Sequence, residues 1–299
     1  MEHFKEELNN KVDNINKIIK SYLPEAEGYH KRIADAMNYS VNVGGKRIRP
    51  LLMLETYKLC GGKNFEDVYP FMAAIEIIHS YSLVHDDLPA MDNDEYRRGQ
   101  LTTHKKYGED FGILAGDGLL NLAYETMIEA ITKCEDSVDF SKKSKAAGII
   151  AKKSGIYGMV GGQSLDVYLT DKSMDGKQLD YIFRLKTGAL IEASFMAGAV
   201  LAGCDEGVLD KLENAGNLVG FAFQIKDDIL DITSTQEVLG KPVLSDERNN
   251  KTTYVSLYGM DKATEDVDTF SERAIDILKE LGDNDFLIEL VKSLISRNK

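Results

Sequence analysis

Three cysteines, Cys60, Cys134 and Cys204, are all that the 299 residues contain, and none forms a CxxC pair. So few, odd in number and widely spaced, they exclude a disulfide framework and a structural zinc site, and they point to a reducing compartment. Prolines are equally sparse, at 24, 50, 70, 89 and 242, and the long interval between the last two permits long helices. Basic residues are outnumbered, 36 Lys plus Arg against 49 Asp plus Glu, for a net charge of −13. That balance argues against nucleic acid and anionic membranes as main partners. Sustained period-two alternation, Pro/Ser-rich linkers and fixed-period repeats are all missing, which argues against a half-buried sheet, a two-part chain and a solenoid. The opening MEHFKEELNN lacks a hydrophobic signal core, and Met-Glu does not begin a myristoylation site. The cytoplasm is the expected location, without membrane insertion.

What is present is helical periodicity in a chain that is 43% hydrophobic, enough for a sizeable core. Phe4, Leu8, Val12, Ile15, Ile19 and Leu23 recur at steps of three and four, the spacing of one buried helix stripe. Val208, Leu212, Ala215, Val219, Ala222, Phe223 and Ile229 form a second stripe. Breaks are expected at 24–28, 43–50, 61–64, 89–99, 116–118, 170–176, 203–207, 240–250 and 281–285. They cut the chain into roughly ten helices, so a single all-α domain over residues 1–299 is expected.

Two aspartate clusters lie far apart: Asp86-Asp87-Leu88-Pro89-Ala90-Met91-Asp92 and Asp227-Asp228-Ile229-Leu230-Asp231. On a helix Gln224, Asp227, Asp228 and Asp231, at offsets of three, four and seven, share one side, next to the apolar Ile225, Ile229 and Leu230. Like charges at i,i+4 cost about 0.2–0.5 kcal/mol per pair, so a cation should neutralise them. Carboxylates without His or Cys suit Mg²⁺ or Mn²⁺ rather than zinc. Either cluster taken alone is also readable as a solvated acidic face. Asp92 sits six residues after Asp86 and would point away from it on a continuous helix, but Pro89 pushes Leu88 out of helical geometry. The helix should therefore end there and Asp92 return from the following turn. His79 lies on the same helix face as Asp86, where a lone histidine reads first as a core residue.

Basic groups accompany these acids. Gly44-Gly45-Lys46-Arg47-Ile48-Arg49-Pro50 sets a flexible turn before three cations, suited to an anion. It is not a nucleotide P-loop, because Ser40 occupies the first glycine position and Arg47 stands where Ser or Thr should be. Arg97 and Arg98 follow the first cluster and could equally be its salt-bridge partners. Lys186, before Thr187 and Gly188 in an apolar helix, would snorkel outward unless an anion awaits it. Lys241 opens a polar stretch long enough to be a lid.

Together the blocks GGKRIRP (44–50), EIIHSYSLVHDDLPAMDNDEYRRG (76–99), GGQSLDV (161–167), KTGALI (186–191), FQIKDDILD (223–231) and LGKPVLSDERNNKTTY (239–254) make the chain resemble the trans-isoprenyl diphosphate synthases, bacterial members above all. The resemblance runs from about residue 40 to 255. It implies an all-α fold of ten or more helices around a central cavity, a homodimer, and condensation of isopentenyl diphosphate with dimethylallyl or geranyl diphosphate through an allylic cation. It further implies that Asp86, Asp92 and Asp227, with Asp87, Asp228 and Asp231 nearby, hold about three Mg²⁺ ions on the allylic diphosphate. Arg97, Lys186, Thr187, Gln224 and Lys241 would contact that diphosphate, and Lys46, Arg49, His79 and Arg98 that of isopentenyl diphosphate. Asp86, Asp92, Asp227, Lys186 and Arg97 are thus the expected catalytic set.

Product length is expected to be set at Tyr81, five residues and about 7.5 Å of helix before Asp86, with Ser82 beside it. An aromatic there resembles the arrangement that stops at a fifteen-carbon product; a twenty-carbon product is the runner-up. Glu95 stands where this bacterial group often has Asp, and Leu244 where Gly is common. The basic Arg297-Asn298-Lys299 end resembles one that folds over the second substrate. A terpene cyclase would lack the second Asp cluster and have no use for Lys46 and Arg49, and a non-catalytic subunit would be expected to lose one cluster.

Overall fold

Apolar residues at helical spacing and few prolines produce helices throughout the computed structural model, which describes residues 2–233 and 252–295. The chain divides into two compact units: Met1–Leu54 with Gly62–Ala147, and Glu55–Gly61 with Gly148–Lys299. Each is described separately.

The first unit holds α1 (Glu2–Ser21), α2 (Lys31–Asn42), the start of α3 (Ile48–Leu59), α4 (Tyr69–Asp86), α5 (Thr103–Tyr107), α6 (Glu109–Thr132) and the start of α7 (Ser137–Ser154). A two-residue antiparallel ladder of β1 (Tyr96–Arg97) and β2 (Gln100–Leu101) follows α4, with Tyr96 opposite Leu101. The first predicted stripe buries Ile15 and Ile19. Helix α4 is apolar on all sides, burying residues from Phe71 to Val84, and so forms the unit's centre, packed along α6. Each such fully buried aliphatic or aromatic side chain contributes about 1.5–3 kcal/mol.

The break expected at 116–118 does not occur, because α6 runs straight through both glycines. They are there for close packing: a Cβ on Gly116 would lie 2.0 Å from His85 Nε2, and one on Gly118 2.9 Å from the Met37 sulfur. Both side chains occupy notches on α6 rather than interrupting it.

The second unit begins with the end of α3 and continues from the end of α7 through α8 (Met159–Tyr168), α9 (Gly176–Ile182), a π-helical turn (Phe183–Gly188), α10 (Ala189–Ala202) and α11 (Glu206–Thr233). After the undescribed stretch come α12 (Tyr254–Tyr258), α13 (Met260–Leu281) and α14 (Asp285–Ile295). Helix α11 packs on α10 and α13, with Leu212, Ala215, Val219 and Ala222 of the second stripe fully buried. It approaches its neighbour closely: a Cβ on Gly216 would fall 2.7 Å from Glu192 Cα, and one on Gly220 2.7 Å from Gly188 Cα. The segment Gly176–Ala202 is long and apolar enough to cross a membrane, yet 78% of its most apolar window is buried inside the protein.

Candidate functional site

In the first unit the expected return of Asp92 is seen. Helix α4 ends at Asp86, Leu88 N–H bonds to His85 O at 3.2 Å, and Asp92 N–H donates to Asp86 O at 2.9 Å. Asn93, in the left-handed region at φ 53°, completes the turn with a 3.1 Å bond to Leu88 O. Asp86 and Asp92 are therefore joined through the backbone, with Asp92 exposed.

Asp87 is 3% exposed and gripped by Arg97, whose Nε reaches both carboxylate oxygens at 2.8 and 2.9 Å and whose Nη2 reaches Oδ1 at 2.5 Å. Burial raises the Asp87 pKa, opposed by Arg97, while Asp94 and Asp92 push it further up. Glu95, the departure from the bacterial pattern, pairs with Lys105 at 2.8 Å.

The glycine-rich turn separates its three cations. Lys46 is exposed. Arg47, at φ 49° and almost fully buried, donates to Glu76 Oε1 (2.8 Å), Asn16 Oδ1 (2.8 Å) and Val41 O (2.7 Å), and so anchors the turn to α4. Arg49, half-buried, has an Nε that is buried without a hydrogen-bond partner, and burial lowers its pKa to about 10, with Glu76 opposing and Arg98 adding to the shift. Arg98 donates to Gly44 O, and its guanidinium lies where a Cβ on Gly45 would be, within 2.7–2.9 Å. Gly45, at φ 147°, is thus required both by its conformation and by the arginine across it.

His79 faces this arginine group. Burial lowers its pKa well below 6.5, and Arg49, Arg98, Arg97 and Arg47 lower it further, in that order. It is a neutral imidazole among guanidinium groups, where an anion would be stabilised. Two residues further along α4, Tyr81 is 6% exposed and meets His85 edge-on at 5.9 Å between ring centroids. Burial pushes its phenol up to about 12, aided by Tyr124 on α6 and by Asp86. Ser82 donates to His79 O at 2.9 Å.

In the second unit Lys186 and Thr187 lie on the π-helical turn, an irregularity common at functional sites. Lys186 Nζ meets Asp166 Oδ2 of α8 at 2.5 Å, so the anion that keeps this lysine in place is internal. Gly162 of the GGQSLDV block lets α8 approach closely there, since a Cβ on it would fall 2.2 Å from Lys186 N. Thr187 Oγ1 donates to Gln224 Oε1 of α11 at 2.9 Å, bringing together two residues predicted from separate motifs.

One turn along α11 from Gln224, Asp227 is half-buried, while Asp228 and Asp231 are buried at 4% and 3% exposure. Asp228 Oδ2 accepts from Tyr254 N–H at 2.7 Å, capping the start of α12. Tyr254 in turn donates through its hydroxyl to Asp266 Oδ2 at 2.8 Å and stacks on Phe183 of the π-helical turn. Lys241, Leu244 and residues 297–299 lie outside the described residues.

Among the described residues no three His, Cys, Asp or Glu side chains converge as around a bound metal ion. The donor set of both clusters is nonetheless purely carboxylate oxygen, which fits a hard divalent ion. A cleft of about 640 Å³ in the second unit, between Lys177 and Tyr181 on one side and Asp210 and Asn214 on the other, contains none of the predicted site residues.

Sequence reasoning left three participants without a role: Asp166, Glu76 and Tyr254. Glu76 had a signal, as an acid inside an otherwise apolar helix, and Asp166 sat within the quoted GGQSLDV block. Tyr254 ended the LGKPVLSDERNNKTTY block, but its link to Asp228, 26 residues away, had no signal.

The family described as polyprenyl synthetase matches residues 30–290. The chain is 41% identical over 295 residues to the farnesyl diphosphate synthase of Micrococcus luteus, covering 98% of this chain and 99% of that one. It is also 41% identical over 268 residues to the geranylgeranyl diphosphate synthase of Cyanophora paradoxa, covering 89% and 88%. Among solved structures it is similar, with a TM-score of 0.81 and 31% identity over 96% of this chain and 95% of the other, to a geranyltransferase from Helicobacter pylori complexed with magnesium and isoprenyl diphosphate. Matched over most of its length in sequence and alike in fold, the chain belongs to the polyprenyl synthetase family.

Proposed function

We propose that the chain condenses isopentenyl diphosphate with dimethylallyl or geranyl diphosphate to give (2E,6E)-farnesyl diphosphate. The observation that carries this reading is the arginine group around His79. Arg49 holds a buried, unpartnered Nε and a lowered pKa beside a neutral imidazole, an arrangement that a bound diphosphate would complete. Lys46, Arg49, His79 and Arg98 bind isopentenyl diphosphate; Arg97, Lys186, Thr187, Gln224 and Lys241 bind the allylic diphosphate.

Asp86, Asp92 and Asp227, aided by Asp231, hold the divalent ions, with Asp87 and Asp228 setting the loop and helix around them through Arg97 and Tyr254. Mg²⁺, about three per site, or Mn²⁺ in its place, would neutralise charge on the departing diphosphate. Lys186, positioned by Asp166, and Arg97, positioned by Asp87, add fixed positive charge at the same leaving group, which is electrostatic rather than nucleophilic catalysis. The isopentenyl double bond then attacks the allylic cation, and the released diphosphate takes the proton.

Overall identity does not discriminate a fifteen-carbon from a twenty-carbon product, since relatives of both names reach 41%. Tyr81 supports the shorter one, because a buried aromatic ring five residues before Asp86 would block a growing tail. Incubation with isopentenyl and dimethylallyl diphosphates and Mg²⁺ should yield a fifteen-carbon product, and Tyr81→Ala should lengthen it; an unchanged profile in the variant refutes the floor. Asp86→Ala and Asp227→Ala should each lower turnover by about 100-fold or more, and near-normal turnover in either refutes the metal assignment. The homodimer belongs to this reading, supported by Ile113, Leu114 and Ile128 exposed on α6, and sedimentation tests it. The cytoplasm is its proposed place.

A further inference from the structure

In the first unit a buried histidine outside the site motifs, His104 of α5, ties down the loop that follows the first acidic cluster. That loop passes through the β1–β2 hairpin and carries Asp92, Arg97 and Arg98. Thr102, which follows β2 and is 3% exposed, holds it: the Thr102 N–H donates to Glu95 O at 3.0 Å and Oγ1 donates to Asp94 O at 2.8 Å. His104 Nδ1 lies 3.1 Å from the same Oγ1. A hydroxyl has one proton and a carbonyl only accepts, so the Thr102 proton goes to Asp94 O, and Nδ1 carries the hydrogen that is donated to Thr102. The other ring nitrogen, Nε2, is buried without a hydrogen-bond partner. Burying that unpaired nitrogen works against folding, which leaves the bond from Nδ1 to Thr102 as the imidazole's polar function. The side chain is set against α6, where a Cβ on Gly112 would fall 3.0 Å from both His104 Cβ and Leu88 Cδ2. Asp94 in turn lies 3.8 Å from Arg97, whose guanidinium grips Asp87.

We infer, on the function proposed above, that His104 is a positioning residue for the allylic diphosphate: through Thr102 and the Asp94 carbonyl it fixes the hairpin on which Arg97 and Asp92 are presented. The chain of bonds runs from Nδ1–H to Thr102 Oγ1 and on to Asp94 O, on a residue between Asp92 and Arg97. Both bonds are needed. Without the imidazole donor the Thr102 hydroxyl is free to rotate, and the Asp94 carbonyl loses a fixed partner. His104 acts through these residues rather than on the substrate, in the manner of groups that orient metal and phosphate ligands from behind.

The test compares two amides that reproduce opposite ring nitrogens in the full chain. His104→Asn places an N–H where Nδ1 lies and should keep the Mg²⁺-dependent binding of inorganic diphosphate, read by calorimetry. His104→Gln places its amide near Nε2 instead and should weaken that binding about 10-fold. The same split should appear in KM for geranyl diphosphate, whereas a variant that merely lost folded protein would lower kcat and leave KM and the diphosphate Kd in place. Thr102→Ser, which keeps the hydroxyl, and Thr102→Val, which lacks it, repeat the comparison if a His104 variant does not fold. On the unsubstituted chain, proton–nitrogen correlation spectra should show hydrogen on His104 Nδ1. Absence of condensation by a chain whose diphosphate binding still separates the Asn from the Gln variant would refute the proposed function and leave the positioning role standing. That role is overturned by hydrogen on Nε2 alone, by equal affinity of the Asn and Gln variants, or by Thr102→Val binding diphosphate as Thr102→Ser does.

Discussion

At the scale of single residues, neighbouring charges of one motif have opposite employment. Arg47 and Arg49 are two positions apart, yet Arg47 is consumed by Glu76, Asn16 and Val41, while Arg49 keeps a buried Nε without a partner. Composition cannot separate them, because the difference is where each guanidinium lies relative to α4. His79 shows the electrostatic result and permits a pH prediction. Its native pKa lies well below 6.5, while in the unfolded chain it protonates near about 6.5. Between those values the unfolded state binds more protons, so stability should fall as pH falls below about 6.5, by at most about 1.4 kcal/mol per pH unit. His79→Gln should remove that part of the slope. Chemical denaturation of both proteins at about pH 7 and about pH 5 checks it; identical slopes would contradict the neutral imidazole.

Helix packing depends on glycines whose role is spatial. The period of the α11 stripe was readable from Leu212, Ala215, Val219 and Ala222, but not the reason for Gly216 and Gly220 between them. Gly220 lets α11 touch Gly188, next to the Thr187 that donates to Gln224. Gly220→Ala should therefore push α11 from the π-helical turn, costing about 1–3 kcal/mol of stability and raising KM for the allylic diphosphate. Gly148 in α7 is the counterpart, exposed and with nothing within 4 Å of an added Cβ. Gly148→Ala should stabilise the protein by about 0.5–1 kcal/mol without changing KM. Thermal unfolding and steady-state kinetics on both variants separate the cases; a Gly220→Ala protein with unaltered stability would remove the close-approach argument. The same logic explains why a helix break expected at 116–118 is absent: a glycine that admits a neighbouring side chain looks, in sequence, like one that ends a helix.

For the whole molecule, a net charge of −13 set aside nucleic acid but was silent about the motifs, where six cluster aspartates and a set of arginines and lysines recur along the sequence. Two of these aspartates, Asp87 and Asp228, are bonded to Arg97 and to Tyr254 N–H within their own units. Chelation of divalent ions should accordingly abolish condensation while leaving helix content unchanged, measured by product formation and circular dichroism; unfolding on chelation would show that the metals hold the fold together. The helical class, the two acidic clusters, the return of Asp92 and the basic blocks follow from local rules, namely side-chain period, the restriction before proline, and charge at fixed spacing. The Lys186 link to Asp166, the Thr187 link to Gln224 and the capture of Tyr254 by Asp228 needed the folded chain. Each joins residues 20 to 37 positions apart, and only the packing of helices determines which distant side chains come within bonding distance.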